Sequence, residues 1–105
     1  MFYESFEGKE DYKIVIEMPG VSKEDLRVEL MGTKLLAVSS SIKPLIDYTK
    51  YNRVYAGIFL ETSQEGTFGL PQDSDIENIK SKLENGILVI TIPKKIESKK
   101  LISVE

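Results

Sequence analysis

The pair Asn85-Gly86 constrains this chain more than any other feature. Before it, Ile79-Lys80-Ser81-Lys82-Leu83 alternates; after it comes the apolar run Ile87-Leu88-Val89-Ile90-Thr91-Ile92. Asn and Gly both tolerate positive φ, which a type I′ turn demands, so the segment predicts an antiparallel hairpin. The second strand is apolar on both faces, which suits a central position in a sheet. Pro93-Lys94-Lys95 closes it and guards an aggregation-prone run.

The rest of the chain repeats this grammar. Tyr12 to Met18 has period two, with Tyr12, Ile14, Ile16 and Met18 on one face, and Pro19-Gly20 ends it. Ser22-Lys23-Glu24-Asp25 reads as one capped helical turn, too short to stand as a helix. Leu26-Arg27-Val28-Glu29-Leu30 alternates again, Gly32 turns the chain, and Lys34 to Ser40 forms the next strand. Ser41 to Asn52 reads as a long loop, Val54 to Glu61 as strand-like, and Thr67 to Pro71 as a short strand stopped by proline. Strands at this spacing, with turn residues between them, predict a β-sandwich. Leu26–Leu30 and Ile79–Leu83 are both candidates for exposed sheet edges.

Composition narrows the chemistry. The 105 residues include no His, Cys or Trp, and 14 Lys+Arg stand against 17 Asp+Glu for a net charge of −3. These absences exclude a zinc finger, a thiol nucleophile, a haem ligand set and a His-based triad, so no metal or cofactor is expected. The acidic balance argues against nucleic acid as a partner. No segment is long enough to span a bilayer, and the N-terminus lacks the basic start and apolar run of a secretory signal. The chain therefore reads as cytoplasmic. No Walker-type phosphate loop appears. A carboxylate enzyme using a pair such as Glu61 and Glu65 is disfavoured, because no pair is marked and single strand-end acids are mostly solvated.

Four motifs in order carry a family resemblance. Met18-Pro19-Gly20-Val21, Glu24-Asp25-Leu26-Arg27-Val28, Phe68-Gly69-Leu70-Pro71 and Ser81-x-x-x-Asn85-Gly86-Ile87-Leu88 resemble the α-crystallin domain of small heat-shock proteins, of the non-animal type with a long dimerisation loop. In the last motif Ser81 replaces the family's Ala and Ile87 its Val. The resemblance runs over nearly the whole chain. It implies an all-β, immunoglobulin-like sandwich at residues 1–93, with the loop at about 41–65, followed by a C-terminal extension at 94–105. It also implies an ATP-independent chaperone, not an enzyme, that binds partly unfolded proteins.

The same resemblance assigns sites. A hydrophobic groove for tail or client lies along Leu26, Val28 and Leu30 and along Ile79, Ser81 and Leu83, where a small residue at 81 leaves a pocket. Ile102-Ser103-Val104 is similar to the family's Ile/Val-x-Ile/Val tail motif. Its two aliphatic side chains stand on one side of an extended segment and fit a neighbour's groove by strand addition. Their burial is worth roughly 3–6 kcal/mol before ordering costs. A homodimer is implied by exchange of a loop strand (Val54, Tyr55, Ile58, Phe59, Leu60) with the N-terminal segment (Phe2, Tyr3, Phe6), and higher oligomers by the tail. Two departures stand out: Gly66 occupies the place of a frequent family Arg, and the N-terminal arm is short or absent. The alternative is a CS-domain-like co-chaperone, which the tail motif, the loop and the absence of Trp disfavour.

Overall fold

The computed structural model describes residues 1–55, 63–96 and 102–105. Its seven strands are β1 (Tyr3–Glu7), β2 (Asp11–Glu17), β3 (Leu26–Met31), β4 (Leu35–Ser41), β5 (Ser63–Gly69), β6 (Lys80–Glu84) and β7 (Ile87–Pro93). They form an antiparallel sheet of order β1-β2-β7-β6 and a second of order β3-β4-β5. Among the described residues the chain is all-β apart from single 3-10 turns at Lys23–Asp25, Tyr48–Lys50 and Ile76–Asn78.

The alternating residues explain how the sheets face each other. Ile14 and Ile16 of β2 pair with Ile90 and Leu88 of β7, and all four are buried. Leu36 and Val38 of β4 cover them from the other sheet, with Met18, Val21 and Ile92 completing the core. Each such side chain contributes roughly 1.5–3 kcal/mol on burial. Strand β7 sits between β2 and β6, as its two apolar faces predicted.

The turns follow their residues. Asn85 has φ 52° and Gly86 φ 75°, the pair of positive values a type I′ hairpin requires. The chain leaves the first sheet at Pro19-Gly20, where Gly20 has φ 77°, and the Met18 N–H donates to the Gly86 carbonyl at 2.7 Å. It returns through Leu70–Ile79 to β6. The 3-10 turn at Tyr48–Lys50 is capped by Asp47, which accepts from the Thr49 hydroxyl at 2.6 Å and the Thr49 N–H at 3.1 Å. Those hydrogen bonds, the hydroxyl's first, lower the Asp47 pKa.

Two segments differ from the expected boundaries. Strand β5 begins at Ser63, earlier than Thr67, because Gln64, Gly66 and Phe68 pair with Ser40, Val38 and Leu36 despite an irregular hydrophobic pattern. Val54 and Tyr55 are not in a strand, and the remainder of the expected 54–61 strand lies outside the described residues.

Candidate functional site

Strands β3 and β6 are the edges of their respective sheets, and a cleft opens between them. The register sets which side chains face it. Leu26 and Val28 stand opposite Ser40 and Val38, while Ser81 and Leu83 stand opposite Ile90 and Leu88; these four partners are all buried. Leu26, Val28, Ser81 and Leu83 therefore form the last inward row of each sheet. With Lys23, Lys82 and Leu88 they line a cleft of about 510 Å³.

Ser81 keeps the cleft open. It occupies an inward position between Leu83 and Ile79 yet carries only a hydroxymethyl group, and it remains exposed. A long aliphatic side chain there would occupy the space an incoming one could use. The cleft thus offers aliphatic walls beside two edge strands with free backbone groups, the arrangement that accepts an added strand.

Two of the six expected groove residues, Leu30 and Ile79, do not line this cleft. Leu30 is inward in register but 44% exposed near the β3–β4 turn. Ile79 precedes β6 and packs against the core. Three cleft residues escaped the sequence reading. Leu88 was legible in principle, since the Asn85-Gly86 turn places it opposite Leu83. Lys23 and Lys82 carried no signal, because nothing in one chain's pattern says which surface lysines share a cleft.

The tail stands clear of the sandwich: Ile102 is 79% and Val104 98% exposed. The other apolar surface includes Leu45, Ile46, Tyr51, Val54 and Tyr55 in the loop after β4, with Val54 at 99% exposure. Of the expected dimer residues, Phe2 and Phe6 are exposed, whereas Ile58, Phe59 and Leu60 lie outside the described residues.

The opposite mouth, between β1 and β5, is built from rings. Tyr3 meets Phe68 edge-on with centroids 4.9 Å apart and planes at 86°. The space beside Gly66 is taken by Met1, whose Sδ would lie 2.9 Å from a Cβ at that position. Below, the Tyr12 hydroxyl donates to Asp73 at 2.7 Å, and Lys94 pairs with Glu7 at 2.7 Å while lying over the Tyr12 ring at 4.9 Å. The Asp73 hydrogen bond, followed by desolvation and by the Asp73 and Glu7 charges, pushes the Tyr12 phenol up to about 12.

Among the described residues no group of three or more acidic, His or Cys side chains converges as a metal site, and no helix is long and apolar enough to cross a membrane.

Comparison with known proteins agrees with this architecture. Residues 4–105 match the Hsp20/alpha crystallin family. The chain is 35% identical over 92 residues to the 16.9 kDa class I heat shock protein 1 of Triticum aestivum, a match covering 84% of this chain and 58% of that protein. It is 29% identical over 107 residues to the 22.7 kDa class IV heat shock protein of Pisum sativum, covering 93% and 51%. It therefore spans about half the length of these curated relatives. Heat shock protein 16.0 of Schizosaccharomyces pombe superimposes with a TM-score of 0.76 at 28% identity, covering 99% of this chain and 82% of that one. A small heat-shock protein from Xylella fastidiosa shares the fold with a TM-score of 0.79 at 21% identity, covering 99% and 94%. A two-sheet antiparallel sandwich, matched along nearly its whole length, makes this chain a member of the Hsp20/alpha crystallin family of small heat-shock proteins.

Proposed function

We propose that this chain is an ATP-independent holdase that binds partly unfolded proteins and delays their aggregation. The observation carrying the reading is the open aliphatic cleft between β3 and β6, with Ser81 leaving room inside it. An unfolded chain presents what such a cleft takes: extended backbone with apolar side chains on alternate residues. Binding of this kind needs no nucleophile, metal or nucleotide, so the protein acts as a chaperone and not as an enzyme. The charged remainder of the surface keeps the loaded complex dispersed.

The assembly we infer has two contacts. Residues 1–93 form the sandwich, which dimerises when the strand at residues 54–60 crosses to β1 of a second copy. That reading is supported by the apolar residues exposed along the loop and by the edge position of β1. Residues 94–105 form the extension, whose Ile102 and Val104 enter the Leu26–Val28 and Ser81–Leu83 cleft of a neighbouring dimer. The exposure of both side chains in the single chain supports a docking partner outside it.

Light scattering from a heat-unfolding client, without nucleotide, tests the function. The chain is expected to slow aggregation at equimolar ratio; no slowing at several-fold excess would overturn the holdase reading. Mass by multi-angle scattering tests the assembly. Deleting residues 53–61 is expected to give monomers, and a dimer surviving that deletion would remove the exchanged strand from the proposal.

A further inference from the structure

Among the described residues, both charged side chains that line the cleft, Lys23 and Lys82, are cations, and no carboxylate lines it. Glu24 and Asp25 follow Lys23 in the same turn but are not among the residues lining the cleft. The two lysines differ. Lys82 is held 3.0 Å from Glu84 on its own strand, whereas Lys23 makes no ion pair among the described residues. Lys23 also marks one end of the cleft, three residues before Leu26 in the turn that leads into β3.

The tail carries opposite charges at its two ends. Lys99 and Lys100 precede the Ile102-Ser103-Val104 motif, and Glu105 follows Val104 directly. Ile102 and Val104 are about 6.8 Å apart along an extended segment, the same spacing as Leu26 and Val28 on β3. The apolar rows alone would accept the tail in either direction, because two branched aliphatic side chains match two rows both ways. Charge breaks that degeneracy. With Val104 beside Leu26, the acidic residue that follows the motif falls on the Lys23 side of the cleft; with the tail reversed, the basic residues that precede the motif fall there, like charge against like.

We propose that Lys23 reads Glu105 of a second copy and so fixes the direction in which that copy's tail lies in the cleft. The proposal rests on the tail-in-cleft reading above and adds the residue that orients it. The partner recognised is thus an extended Ile-x-Val segment with an acidic residue immediately after it. Exposed ion pairs are modest, so reversing one charge is expected to weaken binding about three- to tenfold, and rising salt is expected to shrink that difference.

The test uses a labelled peptide of residues 98–105 and the full chain carrying Ile102→Gly and Val104→Gly, so that its own tail does not compete. The wild-type peptide should bind, the Ile102→Gly/Val104→Gly peptide should not, and the Glu105→Lys peptide should bind about three- to tenfold more weakly at low salt. Adding Lys23→Glu to the full chain should weaken the wild-type peptide and restore the Glu105→Lys peptide. A melting curve checks that this exposed substitution leaves the fold intact, and Lys23→Gln, which should weaken the wild-type peptide less than Lys23→Glu does, serves as the milder variant. Equal binding of the wild-type and Glu105→Lys peptides would overturn the charge reading and leave the docked tail standing. A Glu105→Lys defect that Lys23→Glu does not rescue would overturn the role of Lys23. No binding of the wild-type peptide would overturn both.

Discussion

Both open sides of this sandwich hold a cleft of similar size, about 460 Å³ between β1 and β5 and about 510 Å³ between β3 and β6. Their walls differ in kind. The first is lined by Tyr3, Phe6, Tyr12 and Phe68 with charges of both signs, Glu7 and Lys13. There Tyr3 already stacks edge-on against Phe68, Met1 lies against Gly66, and the Lys94–Glu7 and Tyr12–Asp73 contacts pin the strands from below. The second has no aromatic ring, a serine where a larger side chain would fit, and lysines alone at its rim. The first side is partly filled by the chain's own rings, with Tyr3 and Phe6 still about half exposed, whereas the second has aliphatic walls and room beside Ser81.

The largest effect should come from the floor that both mouths share. Ile90 is fully buried and stands opposite both Ile14 and Ser81. Ile90→Ala should cost about 2–5 kcal/mol in urea unfolding and disturb both sides together; a loss confined to one would show that the clefts do not share a core.

The next pair separates the mouths. Phe68→Ala should cost about 2 kcal/mol of stability, since the ring is only half-buried, while leaving tail-peptide affinity unchanged. Ser81→Leu should do the reverse. It should change stability by under about 1 kcal/mol but weaken peptide binding by more than about tenfold, because the incoming aliphatic side chain loses its space. If Phe68→Ala also abolished binding, the division of labour between the sides would fail.

A pH titration sharpens the pinned side. The phenol of Tyr12 holds its proton to about 12 when folded, whereas an unfolded tyrosine loses it near pH ~10. The contribution of its contact with Asp73 is therefore intact below pH ~10 and disappears as pH climbs toward the folded value. In a phenolate absorbance titration, one of the five tyrosines should titrate late, and Asp73→Asn should bring it back to the others.

The smallest effect concerns Ser74, which is 3% exposed and whose hydroxyl has no hydrogen-bond partner among the described residues. Ser74→Ala should leave stability unchanged or raise it by up to about 1 kcal/mol. A clear loss would show that the hydroxyl is satisfied in solution.

Much of this architecture was legible in one dimension, for local reasons. Period-two alternation marked β2, β3 and β6 because a pleated strand sends successive side chains to opposite faces, and a run apolar on both faces marked β7 as a central strand. Asn85-Gly86 marked its hairpin because few other pairs accept two positive φ angles. The edge positions of β3 and β6 followed from the same local alternation and their charged outer faces. What escaped was either weakly patterned, such as the early start of β5 at Ser63, or assembled from distant parts. Leu30 and Ile79 belong to the right alternating rows, yet they fall outside the cleft because the rows outrun the gap between the sheets.

The exclusion of His- and Cys-based chemistry follows from composition alone, and strand identity, turn type and the inward residues follow from neighbours in the chain, since each is a property of a few consecutive residues. The shape and charge of the cleft do not. Lys23, Leu26, Ser81 and Leu88 are brought together from separate stretches of chain by the packing of one sheet on another, and that packing is set by the whole core at once. Long-range packing made the gap beside Ser81 a cleft and placed Lys23 and Lys82 in its lining.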